Sequence, residues 1–290
     1  MKVLALGGSG GMGRFSSFAI SNYPNISKVT IADLNEANAK EFSNHFDDRF
    51  AGIGLDVTDK EHLEKVMSDH DIVLNTTGPF FKFGLPILKS AIKCKCHYFD
   101  ICDDWEPTEE MLKLNDEALK NDITAIVGLG ASPGISNLLG LKAMNELDEA
   151  ESIITGWDVS SAKPEDESSQ KGTNAAMEHG LQQISGEIKV YKDKKYKLTK
   201  PLEKIKIHYP GRGNYDAFTF GHPEAITFPH HFNDLKESVN ACHGSKQSNI
   251  YIIKILRWLL DKKLISFKQG ASLLEWLERK IGTQSIEKQI

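Results

Sequence analysis

Six short apolar runs alternate with helical segments in residues 2–128 of this 290-residue chain. Each run is almost continuously apolar, as in KVLAL at residues 2–6, instead of alternating apolar with polar residues. Such strands are buried on both faces of a parallel sheet, because the intervening helices cover those faces. The pattern therefore predicts an α/β fold with a doubly wound parallel sheet of the Rossmann type. The predicted strands are 2–6, 28–33, 50–56, 71–77, 97–100 and 123–128, and the predicted helices are 12–21, 36–45, 58–70, 86–92 and 109–120.

The pattern changes after about residue 148, where strands no longer alternate regularly with helices. This predicts a second, α+β domain, so that residues 1–130 form the Rossmann domain and residues 131–290 the second one. Residues 249–261 have the spacing of an amphipathic helix, which would pack either in the core or against the partner of a homodimer. The predicted strands are 151–161, 203–209 and 216–220, with a hairpin at 187–199, and the predicted helices are 173–185, 249–261 and 267–281.

Charge and composition narrow the class of protein. The net charge of −5 gives no reason to expect a nucleic acid or a membrane surface as partner. The apolar run at the N-terminus is too short for a signal peptide, and the late apolar stretch contains Lys254 and Arg257. Four unevenly spaced cysteines are not a disulfide framework. We therefore expect a cytoplasmic protein that acts on a small molecule.

A glycine-rich loop follows the first predicted strand and opens the first predicted helix. Its residues fit the dinucleotide-binding pattern G-x-G-x-x-G. The first glycine permits a tight turn, the second lets a pyrophosphate approach the backbone, and the third lets helix and strand pack closely. The helix N-terminus offers N–H groups and a partial positive charge to the phosphates. The loop consists of Gly8, Ser9, Gly10, Gly11, Met12 and Gly13.

An acidic residue closes the second predicted strand. The Asp33 carboxylate is placed to accept hydrogen bonds from a ribose 2′-hydroxyl and to repel a 2′-phosphate. The next residue is Leu34 and not an arginine, which favours NAD over NADP, although Arg14 in the first helix could reach the same region. Asp56 and Val57, at the end of the third strand, are predicted to lie beside the adenine, with a plain strand end as the alternative.

Four further stretches carry a resemblance to a known family: NTTGPFFKFGLPILKSAI (75–92), HYFDICDDWEP (97–107), GLGASPGISNLL (128–139) and GHPEAITFP (221–229). With the glycine loop they make the chain similar to the saccharopine dehydrogenase family, in particular to its lysine dehydrogenase-like and saccharopine dehydrogenase-like members. The resemblance implies a Rossmann domain followed by a substrate domain. It also implies a dehydrogenase that acts on CH–NH or CH–NH2 donors of amino acids, with NAD or NADP as cofactor.

The resemblance also implies roles for individual residues. The turn after the fourth strand would lie against the nicotinamide half of the cofactor, and the segment after the sixth strand would lie near the substrate. A glycine-proline turn lets the backbone approach a ligand, and a helix N-terminus can hold a carboxylate. The cofactor residues of this turn are Thr76, Gly78, Pro79 and Phe80, and the substrate residues of the later segment are Ser132, Gly134 and Asn137.

Oxidation of an amine requires a neutral nitrogen, so the site needs a proton acceptor and a group that orients the amine. Asp100, at the end of the fifth strand, is the predicted anion beside the amine. His222 is the predicted proton acceptor, since an unperturbed imidazole has a pKa near 6.5. Arg212 is predicted to hold a substrate carboxylate with two hydrogen bonds. A histidine or arginine in a loop is, alternatively, a structural or solvated residue.

Two departures from the family keep other functions open. The segment after about residue 245 has no clear counterpart, so we expect either an abbreviated second domain or an incomplete sequence. The GASPG segment lacks an acidic residue that some saccharopine-reducing members carry at this point. The alternatives are a cofactor-binding protein without dehydrogenase activity and a condensing reductase of the carboxynorspermidine or homospermidine type.

Three further motifs have simpler explanations. The stretch CHYFDICDDWEP suggests a metal cluster, but its cysteines lie across a helix end and a strand, so buried thiols and a helix cap at Asp103 or Asp104 are expected and no metal site is predicted. Two Y-x-x-x-K matches fall in the lysine-rich hairpin at 187–199, where the catalytic pair of short-chain reductases would need a helix. The adjacent His230 and His231 are expected to be structural.

Overall fold

We describe the protein from a computed structural model, which covers residues 1–159, 175–244 and 247–286. Contacts within the chain group it into two compact units, Met1–Leu141 and Lys142–Ile290. The predicted division after residue 130 precedes the last helix of the first unit, whereas the units divide within that helix. The first unit contains β1 (Lys2–Leu6), α1 (Gly11–Ser21), β2 (Lys28–Asp33), α2 (Glu36–Ser43), β3 (Phe50–Gly54), α3 (Lys60–Met67), β4 (Ile72–Asn75), α4 (Phe80–Cys94), β5 (His97–Asp100), α5 (Trp105–Leu112), α6 (Asn115–Lys120), β6 (Ala125–Ile126) and most of α7 (Ile135–Asn145).

The first unit is the predicted doubly wound sheet. Its six strands are all parallel and lie in the order β3-β2-β1-β4-β5-β6. Side chains on the two faces of one strand pack in two different hydrophobic cores. Leu4 and Leu6 of β1 pack with α3, α4 and α5, whereas Val3 packs with Phe42 of α2. Both faces of the sheet are therefore buried, which explains why its strands are continuously apolar.

Local signals set the ends of several helices in this unit. The Asn35 side chain accepts a hydrogen bond from the Asn38 N–H at the start of α2, and the Asp59 side chain accepts one from His62 at the start of α3. Asp104 occupies the N-cap position of α5, as expected in the CHYFDICDDWEP stretch, but its side chain makes no capping hydrogen bond to the helix. The predicted helix 109–120 is two helices, because the chain turns between Leu112 and Asn115.

The second unit is built on a mixed sheet of mostly antiparallel strands. The strand β12 is central: one edge pairs with β7 in parallel along its length, and the other pairs with β8 at its start and β11 at its end. The hairpins β8–β9 and β10–β11 complete the sheet. The elements are β7 (Ser152–Asp158), α8 (Ala175–Gln183), β8 (Ile188–Lys192), β9 (Lys195–Thr199), β10 (Lys204–Tyr209), β11 (Gly213–Thr219), α9 (Glu224–His231), β12 (Glu237–His243), α10 (Gln247–Asp261) and α11 (Phe267–Ile286).

The helix α10 does not bury the face that its spacing predicts. Leu256 and Leu260 are buried, but Ile255 is 60% exposed and lies with Tyr251 and Trp258 on the outer side. The predicted face of Ile252, Ile255, Leu256 and Leu259 is therefore divided between core and surface, and dimerisation through it stays a prediction. In the described part of the chain, no helix combines the length and the apolar character needed to cross a membrane.

Candidate functional site

The sheet of the first unit brings two loops to one edge. The strands β1 and β4 are neighbours in the sheet, with Leu6 opposite Asn75. The strands β2 and β3 lie on the β1 side of this pair, and the strands β5 and β6 lie on the β4 side. The loops that follow these strands therefore flank the crevice at the switch point of the topology, where ligands of open α/β sheets bind. The glycine loop and the Thr76–Pro79 turn are the two loops.

The glycine loop forms a tight turn that exposes the start of α1. Gly7 has a φ of +68°, a conformation that a glycine adopts without strain. The Gly10 N–H donates to the Gly7 carbonyl at 3.0 Å, and no side chain caps the helix at Gly10. The first N–H groups of α1 are thus available to an anion, as the loop sequence predicts.

The predicted ribose-binding acid is fixed against this loop. Asp33 Oδ2 accepts a hydrogen bond of 2.7 Å from the Ser9 hydroxyl, and its Oδ1 accepts one of 3.3 Å from the Asn35 N–H. A carboxylate has further lone pairs, so both oxygens can still accept hydrogen bonds from a ribose. Ser9 is therefore a positioning residue for Asp33, a role that the loop pattern alone did not suggest.

The remaining residues at this end lie at the surface. Leu34 is 77% exposed, so its side chain is open to an adenine. Asp56 Oδ1 accepts hydrogen bonds from the Thr58 N–H and hydroxyl, at 2.8 and 2.7 Å, and these contacts lower the pKa of Asp56. Asp56 thus begins the turn into α3, as the strand-end alternative proposed. Val57 is half-buried against the core, and contact of either residue with an adenine stays a prediction.

Two neighbouring threonines after β4 differ in how their hydroxyls are used. Thr76 Oγ1 donates to the Leu6 carbonyl at 2.8 Å, which ties the end of β4 to β1. Thr77 Oγ1 is buried and has no hydrogen-bond partner among the described residues. A buried polar group without a partner is costly, so an unpaired hydroxyl beside the glycine loop suits a bound ligand. The sequence reasoning selected Thr76 and missed Thr77.

The two threonines make a matched test of cofactor contact. We expect Thr77→Val to weaken NADH binding about five- to tenfold and to leave stability unchanged or slightly higher, because its hydroxyl has no protein partner. We expect Thr76→Val to cost about 1 kcal/mol of stability, because it removes the bond to Leu6. Calorimetric titration and urea unfolding measure the two effects. Unchanged NADH affinity in Thr77→Val would remove this residue from the site.

At the Gly-Pro turn the glycine and the proline are exposed, whereas the side chain that follows them is buried. Gly78 and Pro79 are exposed, and Pro79 occupies the N-cap position of α4. Phe80, predicted to contact the cofactor, is 7% exposed and packs in the core with α5. Its side chain therefore belongs to the core, and the next residue, Phe81, is the exposed aromatic ring of this turn.

The structure gives Asp100 a role different from the expected one. Its side chain is fully buried, and both oxygens are occupied by the protein. Oδ1 accepts the N–H groups of Cys102 at 3.0 Å and Gly128 at 2.7 Å, and Oδ2 accepts the Tyr98 hydroxyl at 2.8 Å. The carboxylate thus holds the chain after β6 against the end of β5. It positions this edge and presents no free oxygen to a substrate amine.

The burial of Asp100 predicts a pH effect on stability. Burial raises its pKa from 3.8 to about 6, although the three hydrogen bonds oppose this. Because the folded pKa exceeds the unfolded one, the stabilising contribution is full below about pH 4 and is lost as the pH rises through 6. We expect urea unfolding to show a contribution of about 3 kcal/mol over this range in the wild type and none in Asp100→Asn.

A second variant separates charge from hydrogen bonding at Asp100. Asn keeps one acceptor oxygen for the two N–H groups, whereas Asp100→Ala leaves both of them and the Tyr98 hydroxyl without an acceptor. We expect Asp100→Ala to cost about 3 kcal/mol at neutral pH. Equal stabilities of the two variants at neutral pH would contradict this role.

The predicted substrate loop is held by its own residues. Gly134 has a φ of +122°, and its N–H donates to Asn137 Oδ1 at 2.9 Å. The Gly130 N–H in turn donates to the Pro133 carbonyl at 2.9 Å. Asn137 therefore caps the turn that begins α7, and Ser132 lies half-buried within that turn. Contact of this loop with a substrate stays a prediction.

The second unit contains a buried histidine–carboxylate pair. His222 is 1% exposed, and its Nδ1 lies 2.5 Å from Glu224 Oε2 at the start of α9. Asn240 of β12 donates to the same Glu224 oxygen at 3.1 Å, and its Oδ1 accepts the Ala225 N–H at 2.8 Å. Trp157 packs edge-on against the imidazole with ring centroids 5.6 Å apart. The carboxylate fixes the imidazole orientation, as a general base requires.

Arg212 is not brought to this pair. It is exposed in the turn between β10 and β11, whereas His222 follows the other end of β11. At the usual rise per residue, the seven residues of β11 span roughly 20 Å. The arginine and the histidine therefore lie at opposite ends of one strand, and a shared substrate contact is not supported.

Residues that sequence reasoning missed are mostly partners of the predicted ones. Glu224 lies two residues after His222, so the HPE triplet was a usable signal. Asn240 had no signal, because no strand was predicted at β12. Cys96 and Cys102 are buried as expected, whereas Cys94 is only partly buried. The Cys96 sulfur lies within 3.3 Å of the Met67 and His70 carbonyls, and burial raises the pKa of Cys96 to about 11.

The Y-x-x-x-K matches lie in the predicted hairpin. Tyr191 of β8 stands opposite Tyr196 of β9, and their rings pack edge-on at 5.0 Å. The Tyr196 hydroxyl donates to the Ile226 carbonyl at 3.1 Å. The helical arrangement that a short-chain reductase would need is therefore absent at these residues.

The site of the first unit fits a dinucleotide on observations of its own. The N-terminus of α1 has no side-chain cap, the buried Thr77 hydroxyl has no partner in the described residues, and a carboxylate is fixed at the end of β2. These features match, respectively, a pyrophosphate, a hydrogen-bonding group and a ribose. When bound, such a cofactor supplies hydride transfer.

Comparisons with known proteins agree with this geometry. The family model of the saccharopine dehydrogenase NADP binding domain matches residues 3–126. Over 122 residues the chain is 31% identical to saccharopine dehydrogenase [NADP(+), L-glutamate-forming] of Saccharomyces cerevisiae and 29% identical to the protein of the same name of Schizosaccharomyces pombe. Each match covers 42% of this chain and 26% of the relative.

A solved structure shows the same fold. Apo saccharopine dehydrogenase (L-Glu forming) from Saccharomyces cerevisiae superposes with a TM-score of 0.61 at 23% sequence identity, over 88% of this chain and 57% of that one. The sequence matches thus span about a quarter of each curated relative. They support the expected family and its Rossmann domain.

Proposed function

We propose, on the premise that residues 3–126 belong to the saccharopine dehydrogenase NADP binding domain family, that this chain is an oxidoreductase acting on a C–N bond of an amino acid or an amino-acid-derived amine. The observation that carries the proposal is the Asp33 carboxylate fixed by Ser9 beside the uncapped start of α1. This arrangement suits the ribose and the pyrophosphate of a dinucleotide cofactor. The names of the yeast relatives support the substrate class.

The reaction balances as a two-electron oxidation. The substrate ammonium would give one proton to a group of the chain and become a neutral amine. The substrate carbon would then lose a hydride to a bound dinucleotide, and the C–N single bond would become a protonated imine. Hydrolysis of the imine then releases a carbonyl compound and an amine. The chain must therefore supply a group that accepts the proton before the hydride leaves.

We assign the proton-accepting role to His222, positioned by Glu224. The Glu224 carboxylate at Nδ1 favours the tautomer that carries a hydrogen there, so that Nε2 is the basic nitrogen. The Asn240 amide holds the carboxylate in place. Asp100 holds the sheet edge instead of the amine, and substrate contacts of Ser132, Gly134 and Asn137 are part of this proposal.

Turnover with a substrate panel tests the proposed function. The protein is mixed with NAD or NADP and with lysine, saccharopine or diamines, and reduced nicotinamide is followed by absorbance. The reverse direction is run with aldehyde and amine pairs. We expect turnover with at least one amino-acid-derived amine. Cofactor binding without turnover on the panel would favour a cofactor-binding protein, and turnover only on diamine and aldehyde pairs would favour a condensing reductase.

A further inference from the structure

The electrostatics around Asp33 bear on which cofactor the site accepts. The surrounding pocket is lined by Asp33, Leu34, Asn35, Glu36, Ala37 and Lys40. Its charged groups are two carboxylates and one ammonium, and that ammonium, of Lys40, lies 2.5 Å from Glu36 Oε1. Among the residues that line this pocket, the one cation is therefore already paired with a carboxylate, and it is not free to bind a 2′-phosphate.

The Asp33 carboxylate cannot easily turn away from a ligand. Ser9 holds Oδ2 from the glycine loop, and the Asn35 N–H holds Oδ1 from the start of the next turn. A ribose 2′-hydroxyl can donate to either oxygen, whereas a phosphate at that position would place two like charges in contact.

One cation near the glycine loop could oppose this effect. Arg14 Nε donates to the Ser9 carbonyl at 2.8 Å, and the guanidinium carbon lies 4.7 Å from the centre of the Phe42 ring. These two contacts hold the guanidinium over the aromatic ring and beside the loop. Arg14 thus stabilises the loop itself, and we expect it to support the binding of both cofactors equally.

We propose that the Asp33 pocket makes this chain select NAD over NADP, although its domain family is described as NADP binding and its yeast relatives are named for NADP(+). The inference rests on the proposed function, because it concerns the same cofactor site. It deepens that function by naming the specificity-determining residue, Asp33, and the group that positions it, Ser9.

Calorimetric titration with NADH and with NADPH tests the preference without any substrate. We expect the full-length wild-type chain to bind NADH at least about tenfold more tightly than NADPH. We expect Asp33→Asn to tighten NADPH binding about tenfold while NADH binding weakens. A second variant, Leu34→Arg, adds a cation at an exposed position and keeps the bond between Asp33 and Ser9, and we expect it to tighten NADPH alone.

Two controls locate the effect. Asp48→Asn removes the same charge from an exposed residue before β3, and we expect it to leave both affinities unchanged. Arg14→Gln should change both affinities alike. Wild-type binding of NADPH as tight as that of NADH would overturn the preference.

The binding data also separate this inference from the proposed function. Tight NADH binding with no turnover on the amine panel would leave the preference standing and remove the proposed reaction. Turnover that runs equally well with NADP would remove the preference and leave the reaction. Binding of neither cofactor would overturn both.

Discussion

Replacing Gly13 with alanine is expected to abolish NADH binding and to destabilise the first unit by about 3 kcal/mol. A Cβ atom on Gly13 would lie 2.0 Å from the Gly7 carbonyl oxygen and 2.7 Å from the Gly8 Cα. Both atoms belong to the backbone, so no side-chain rotation relieves the contact. The helix α1 would have to move away from the glycine loop, and the N–H groups that face the crevice would move with it.

The neighbouring Gly11 provides the matched stability control. It begins α1, and a Cβ there would have nothing within 4 Å. Alanine favours a helix over glycine, so we expect Gly11→Ala to match or exceed wild-type stability by up to about 1 kcal/mol. Urea unfolding and calorimetric titration with NADH measure both variants. A Gly13→Ala protein with wild-type stability and NADH affinity would contradict the packing argument.

Replacing His222 with glutamine is expected to lower kcat by about 100-fold or more on whichever amine proves to be the substrate. General-base catalysis contributes on the order of 100- to 10,000-fold, and glutamine cannot accept the proton. We expect the fall to appear in kcat more than in KM, because the proton is transferred in the reaction step. We expect NADH affinity to be unchanged, because the imidazole is proposed to take a proton from the substrate and not to bind the cofactor.

A variant of the positioning carboxylate distinguishes catalysis from mere support of the fold. Glu224→Gln keeps the size of the buried side chain but removes the charge beside Nδ1. We expect it to lower kcat about tenfold and to shift the pH dependence of kcat/KM, which a purely structural role would not do. The exposed His231→Gln variant should stay close to wild type. Full activity of His222→Gln with an unchanged pH profile would exclude His222 as the proton acceptor.

Much of the first unit could be predicted from the sequence. The strands Lys2–Leu6, Lys28–Asp33 and His97–Asp100 have the predicted bounds, and the doubly wound fold is confirmed. The glycine loop and Asp33 occupy the predicted edge, because a strand followed by a glycine turn and a helix can place them only at the carboxyl ends of strands.

The second unit could be predicted less well, because its central strand has no apolar signature. The strand β12 reads ESVNACH, and its buried side includes Ser238 and Asn240, both almost fully inaccessible to solvent. Their hydrogen bonds to the α9 segment replace apolar packing, and no periodicity in the sequence reveals such bonds. The helix α9 was missed as well, since its sequence contains Pro229.

The sequence by itself determined the parallel sheet, the glycine loop and the acid at the end of β2, because each follows from local pattern and strand order. Only the tertiary structure decided what those side chains are free to do. In the folded chain, the Asp100 carboxylate accepts hydrogen bonds from two N–H groups and a hydroxyl. The Thr77 hydroxyl has no partner in the described residues, and the His222 imidazole contacts the Glu224 carboxylate. The physical reason is that hydrogen-bond satisfaction depends on residues distant in sequence, which meet only when the chain folds.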